Sequence, residues 1–217
     1  VQGPAVCQLQ NLKDVCHLPR FGVTKTRIED VEVLAARTGY TGEVGFEIIG
    51  DAANALHIWN SFMKQGVKAC GLGARDSLRL EAGMLLYGQD MDKSTNPFEA
   101  GLRWVVEMDN SDFIGKSALL DIKHQGVKRK LIGFRMTGRG IARPGYKIIS
   151  YGQEVGRVTS GGYAPTLNAN IGFGHIPTEL ATIGTCIEIM IRNKPVAATV
   201  VNRQFYKRGT QNEPQGI

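Results

Sequence analysis

The chain has 217 residues and a formal charge of +6, from 26 Lys and Arg against 20 Asp and Glu. Its hydrophobic fraction of 42% and charged fraction of 21% are those of a folded globular protein. They exclude a disordered chain, a collagen and a disulfide miniprotein, and no apolar run reaches the roughly 20 residues that span a bilayer.

This length suits one large or two small domains. Residues 1–125 carry 13 basic and 16 acidic side chains, net −3, whereas residues 126–217 carry 13 and 4, net +9. Such a surplus fits an acidic protein or polyanionic ligand, or simply a solvated basic face. Lys128, Arg129 and Lys130 lead into no long basic tail and no aromatic RNA-binding signature, so nucleic acid is not expected. Cys7, Cys16, Cys70 and Cys186 form no Cys-x-x-Cys pair, and no His stands at metal-ligand spacing. Buried free thiols, a reducing compartment and no metal are the expectations. The start at Val1-Gln2-Gly3-Pro4, with neither an initiator Met nor a signal-peptide pattern, reads as the middle of a longer chain.

In chain order, Val31 to Ala35 is β-prone, Arg37 to Glu43 is a glycine-rich turn, and Phe46 to Ile49 is a second strand. Asp51 is placed to cap a helix over Ala53 to Lys64, with apolar residues at helical period and Gly66 as its stop. Gly73 to Ala82 predicts a second helix, with Arg75 and Arg79 one turn apart. Asn96-Pro97 opens a further segment, and a short helix follows Gly115, near Lys116 to Lys123. From Lys128 the texture changes to six short strands in about 80 residues, punctuated by Gly, Pro and Asn, which is the pattern of a small barrel or sandwich. The fold class is therefore α+β followed by an all-β domain: residues 1–125, residues 126–208, and a flexible polar tail at 209–217.

Two clusters are chemically suggestive. Arg37-Thr-Gly-Tyr-Thr-Gly-Glu-Val-Gly-Phe-Glu47 combines three glycines with an aromatic face at Tyr40 and a carboxylate at Glu47. It reads either as a hairpin turn or as a loop that lets a ligand approach. Gly71-Leu-Gly-Ala-Arg-Asp-Ser-Leu-Arg-Leu-Glu81 offers Arg75 and Asp76 as a fork for a polar ring or a carboxylate, or else as surface ion pairs. Asp90 and Asp92, in Gly-Gln-Asp-Met-Asp, read as turn residues.

These two blocks closely resemble the T-protein family of the glycine cleavage system, the tetrahydrofolate-dependent aminomethyltransferases. The likeness continues through Leu86 to Asp92, Thr95 to Leu102, Phe113 to Gly115, Val158 to Leu167 and Phe205 to Arg208, and so covers nearly the whole chain. The resemblance implies three domains around a folate channel, the first two interleaved in sequence and the third, all-β, at Lys128 to Arg208. It implies a C-terminal portion of such an enzyme, with the catalytic aspartate expected outside this chain and the piece inactive alone. It implies folate contacts at Tyr40, Glu47 and Arg75, with Asp76, Trp104 and Tyr206 as further candidates. It implies tetrahydrofolate as co-substrate and lipoylated H-protein and the other glycine cleavage proteins as partners, with no metal, nucleic acid or membrane. The setting it implies is the bacterial cytoplasm, or the mitochondrial matrix of a eukaryote. The alternatives are the folate domain of a dimethylglycine or sarcosine dehydrogenase-type demethylase, and a folate-binding regulatory relative without transferase activity.

Overall fold

A computed structural model describes residues 1–109 and 112–207. The tail expected at 209–217 and Arg208 lie outside these residues. The chain divides into two compact units, Val1–Arg79 together with Lys207, and Leu80–Tyr206.

The first unit is built on a three-stranded antiparallel sheet, β1 (Val23–Ile28), β2 (Val31–Ala36) and β3 (Glu47–Ile49). Strand β1 is not expected from the sequence, because Val-Thr-Lys-Thr-Arg-Ile is apolar only at its two ends; its alternating burial appears only in the folded sheet. In β2, Val33 and Ala35 face inward and Glu32 and Leu34 outward, the period of two that a half-covered strand requires. Their inner face packs with Val6, Leu12, Val15, Ile28, Phe46 and Phe62 into one core. Asp51 accepts from Ala53 N–H at 2.8 Å and caps a 3-10 turn, Ala52–Asn54, that leads into α1 (Ala55–Lys64). Gly66, at φ +82°, stops α1. The helix buries Ser61 and Phe62 and leaves Leu56 and Trp59 exposed, so its apolar residues are wider than the face it covers. Helix α2 runs Leu72–Glu81 and carries the unit boundary after Arg79.

The cysteine expectation is overturned. Cys7 and Cys16 are joined in a disulfide, and Cys70 and Cys186 are free but exposed. The cause is local: 3-10 turns at Val6–Gln8 and Gln10–Val15 double the chain back and set the two Cα atoms 5.6 Å apart, inside the range a disulfide spans. Spacing along the sequence carries no trace of that reversal.

The second unit holds α3 (Lys116–Gln125) and six strands: β4 (Arg129–Met136), β5 (Lys147–Ser150), β6 (Gln153–Ala164), β7 (Ala169–Pro177), β8 (Cys186–Ile191) and β9 (Lys194–Val201). They close in the order β4-β7-β6-β5-β8-β9, because β4 pairs with β7 on one side and with β9 on the other. A barrel rather than a sandwich results, with no free sheet edge. Ile132, Phe134, Ile148, Val158, Ile176, Ile187, Ile189 and Val200 fill it. On β7 both faces are covered. Gly172 and Gly174 turn inward, where a Cβ would stand 2.4 Å from Phe134 and from Ile148, respectively. Ile171 and Phe173 pack instead with Leu80, Leu131 and Ala164, and Phe205 stacks on Phe173 at 5.7 Å. No helix among the described residues is long and apolar enough to cross a membrane.

Candidate functional site

The first cluster lies in the loop between β2 and β3 and on α2. Arg75 stands over Tyr40 with its guanidinium carbon 4.5 Å from the ring centroid, a cation–π contact. Glu47 opens β3 opposite Ala36 and is exposed. Two of the loop's three glycines serve packing as much as ligand approach. Gln2 threads between them: a Cβ on Gly39 would lie 2.3 Å from its amide nitrogen, and one on Gly45 would lie 2.2 Å from its Cγ. In that slot Gln2 Oε1 accepts from Thr41 Oγ1 at 2.6 Å and from Tyr40 N–H at 3.2 Å. Gly42, at φ +82°, supplies the left-handed turn between them. At the loop's start, the Arg37 guanidinium donates to the carbonyls of Cys16 and Leu18. The segment is thus a hairpin connection, and one whose aromatic residue is held by its backbone.

On α2 the two arginines separate. Arg75 is exposed, whereas Arg79 is fully buried, its Nε and Nη2 each 2.8 Å from Asp76 Oδ1. Surface ion pairs do not describe this: the Asp76 carboxylate already has a buried guanidinium to neutralise. Leaving that charge unpaired would be strongly unfavourable.

Trp104 and Tyr206 belong to the second unit. Trp104 sits in a 3-10 turn, Arg103–Val105, and is exposed. Tyr206 is tied through its backbone, donating to Glu81 O at 2.7 Å, while Glu81 Oε1 accepts from Thr166 N–H at 3.0 Å. Glu81 is buried and was not singled out from the sequence.

The second unit also contains a buried polar centre that the sequence reading missed. Asp90 does lie in a turn, accepting from Leu86 N–H through Oδ2 at 2.9 Å, but it is only 1% exposed. Its Oδ1 accepts from both Thr159 Oγ1 and Ser160 Oγ, each at 2.6 Å. Neighbours on a strand ordinarily point to opposite faces. Here the register of β6 against β7 slips between Val158 and Ser160, leaving Thr159 as the extra residue, and the bulge turns both hydroxyls to one carboxylate. Asp92, by contrast, is exposed, and hydrogen bonds from Ser94 hold its carboxyl below the usual range.

His175 joins this centre. Its Nε2 lies 3.0 Å from the Asp90 carbonyl, so Nε2–H donates and Nδ1 carries the lone pair. Nδ1 is buried with no partner among the described residues, and burial pushes the imidazole below its ordinary pKa. The ring borders a cavity of about 400 Å³ whose basic lining is Lys128, Arg129 and Arg157. Arg129 pairs with Glu99 at 3.4 Å and Arg157 with Glu154 at 3.1 Å.

Among the described residues, one histidine meets carboxylates. His57 on α1 lies 3.0 Å from Glu29 and 3.2 Å from Asp30, in the β1–β2 turn, and all three are exposed. Sequence spacing does not show this, since 28 positions part Glu29 from His57.

Residues 1–110 match the family model described as GCVT N-terminal domain, and residues 129–207 match the Glycine cleavage T-protein C-terminal barrel domain. The chain belongs to the glycine cleavage T-protein family. It is 48% identical over 214 residues to a protein named Aminomethyltransferase from Synechococcus sp. (strain CC9902), covering 96% of this chain and 59% of that one. It is also 48% identical to the Aminomethyltransferase of Caldanaerobacter subterraneus subsp. tengcongensis, covering 96% and 58%. The fold is similar to the crystal structure of glycine cleavage system aminomethyltransferase T from Bartonella henselae, with TM-score 0.80 and 30% identity, over 90% of this chain and 56% of that one. The chain thus spans less than two thirds of the length of these relatives.

Proposed function

We propose that this chain is the folate-holding and barrel portion of a tetrahydrofolate-dependent aminomethyltransferase. The observation that carries this reading is the Tyr40–Arg75 pair, an aromatic face and a guanidinium 4.5 Å apart, set on a loop and a helix whose sequences are the family's own motifs. Tyr40 supplies a stacking surface for the pterin or aminobenzoate ring. The exposed Glu47 carboxylate accepts from the adjacent amino and ring N–H donors of a pterin in a two-bond fork. Arg75 pairs with a polar or anionic part of the folate.

In the reaction so assigned, folate N5 attacks the methylene carbon of an aminomethyl group on the dihydrolipoyl arm of H-protein. Ammonia and the free dihydrolipoyl thiol leave, and 5,10-methylenetetrahydrofolate forms. Holding two reactants in line is the largest contribution asked of the residues present. No acid of this chain is assigned the proton transfer; that role belongs to an aspartate outside it, and the chain alone is inactive. The net charge of +9 over residues 126–217 steers an acidic H-protein and a polyglutamylated folate. The cytoplasm or mitochondrial matrix is the matching setting.

The test uses the complete gene product with aminomethyl-loaded, lipoylated H-protein and tetrahydrofolate. Methylenetetrahydrofolate and ammonia in equal amounts are expected, and their absence with intact protein refutes the reading. H-protein affinity should fall as salt rises; a flat dependence removes the steering role from the barrel.

A further inference from the structure

The disulfide lies between the two handles of the Tyr40 loop. Upstream of Cys7, Gln2 accepts from Tyr40 N–H and Thr41 Oγ1, and Gly3 N–H donates to Val44 O at 2.9 Å. Downstream, the carbonyls of Cys16 and Leu18 receive the Arg37 guanidinium, while Arg37 N–H donates to Gly22 O at 2.8 Å. One handle grips the middle and far end of the loop, the other its start. The segment joining them is two short 3-10 turns, a conformation with poor hydrogen-bond geometry of its own. The Cys7–Cys16 bond closes that segment covalently.

We propose that Cys7 and Cys16 form a thiol–disulfide latch on the Tyr40 loop. The oxidised form holds the loop in the arrangement that seats Tyr40 under Arg75; in the reduced form only the burial of Val6, Leu12 and Val15 keeps the handles together, and the loop loosens. Any effect on folate rests on the functional reading above, but the latch itself does not. Cys7 is exposed and Cys16 half-buried, so a solvent-borne reagent reaches the pair. The oxidant is a disulfide such as oxidised glutathione. One cysteine thiolate attacks it, forming a mixed disulfide and releasing one thiol. The second cysteine thiolate then displaces the other glutathione as the Cys7–Cys16 bond forms. Two electrons and two protons leave the cysteine pair, and two glutathione thiols are made.

The test compares the wild-type chain treated with oxidised glutathione and with dithiothreitol. In the oxidised state Cys70 and Cys186 are expected as free thiols or glutathione mixed disulfides beside a linked Cys7–Cys16 peptide found by mass spectrometry, and in the reduced state four reactive thiols and no linked peptide. Amide hydrogen exchange over residues 37–46 should rise several-fold on reduction and return on reoxidation, while residues 129–201 stay unchanged. Cys7→Ser and Cys16→Ser should each exchange at the reduced rate and ignore the redox state. Equal loop exchange in both states, a linkage to another cysteine, or a matching rise across the barrel overturns the latch. Reduced-folate affinity is measured on the same samples. Weaker binding on reduction extends the latch to the ligand. No binding in either state defeats the folate reading and leaves the exchange data to decide the latch.

Discussion

Arg75 covers one face of Tyr40 at 4.5 Å, joining helix α2 to a loop more than 30 positions earlier in the chain. A guanidinium fixed over a ring keeps both groups in place before a ligand arrives, which lowers the entropy cost of binding. Arg75→Ala should weaken reduced-folate binding about tenfold, on the order of 1.4 kcal/mol. Tyr40→Phe, which keeps the ring face, should bind near wild type, and Tyr40→Ala should not. Calorimetric titration of the three variants checks this; three unchanged affinities would remove the pair from the site.

Gln2 tests whether the loop's backbone matters. Gly39→Ala places a methyl against the far end of the Gln2 side chain, which can swing away at little cost to folding. The swing breaks the bonds to Tyr40 N–H and Thr41. Folate affinity should therefore drop with little change in Tm, and Gln2→Ala should reproduce that loss. A wild-type affinity in both variants would show that Gln2 does not position Tyr40.

Asp90 should matter for stability. Asp90→Ala strips the acceptor from Thr159, Ser160 and Leu86 at once, and unmet buried donors cost roughly 1–3 kcal/mol each before relaxation. A loss on the order of 3 kcal/mol is expected by urea unfolding. Thr159→Val and Ser160→Ala should each lose less, and the double variant should lose more than the sum, because each single variant leaves the shared oxygen one donor and only the double removes both. Strict additivity would contradict the shared centre.

His175 sets a pH dependence. Its native pKa lies below the ordinary 6.5 because burial disfavours the cation. The unfolded chain therefore binds the proton first, and stability rises with pH between the two values. As pH falls through about 6.5 the His175 contribution is progressively lost, completely once the native pKa is passed. His175→Gln should flatten this part of the stability profile, measured by denaturation from pH 7.5 downward. An unchanged slope would assign it to other groups.

Much of the architecture is legible along the chain because it is local. Asp51 before α1, Gly66 after it, and the six β-prone runs beyond Lys128 each specify backbone conformation within a few residues. The two motif blocks carry the family likeness in their residue order, which needs no fold to be read.

What the tertiary structure decided is pairing at a distance. Six strands allow a sandwich or a barrel, and only β4 meeting β9 closes this one. Apolar periodicity told which residues want cover, not what covers them: Arg79 is enclosed beside Asp76 while Arg75, one turn away, stays in water. Thr159 and Ser160 face one carboxylate because a bulge broke the alternation, and Cys7 finds Cys16 because two tight turns reverse the chain. The physical reason is common to all four. A residue's local preferences act through its own backbone, whereas burial, charge pairing and covalent linkage depend on which distant group the folded chain brings beside it.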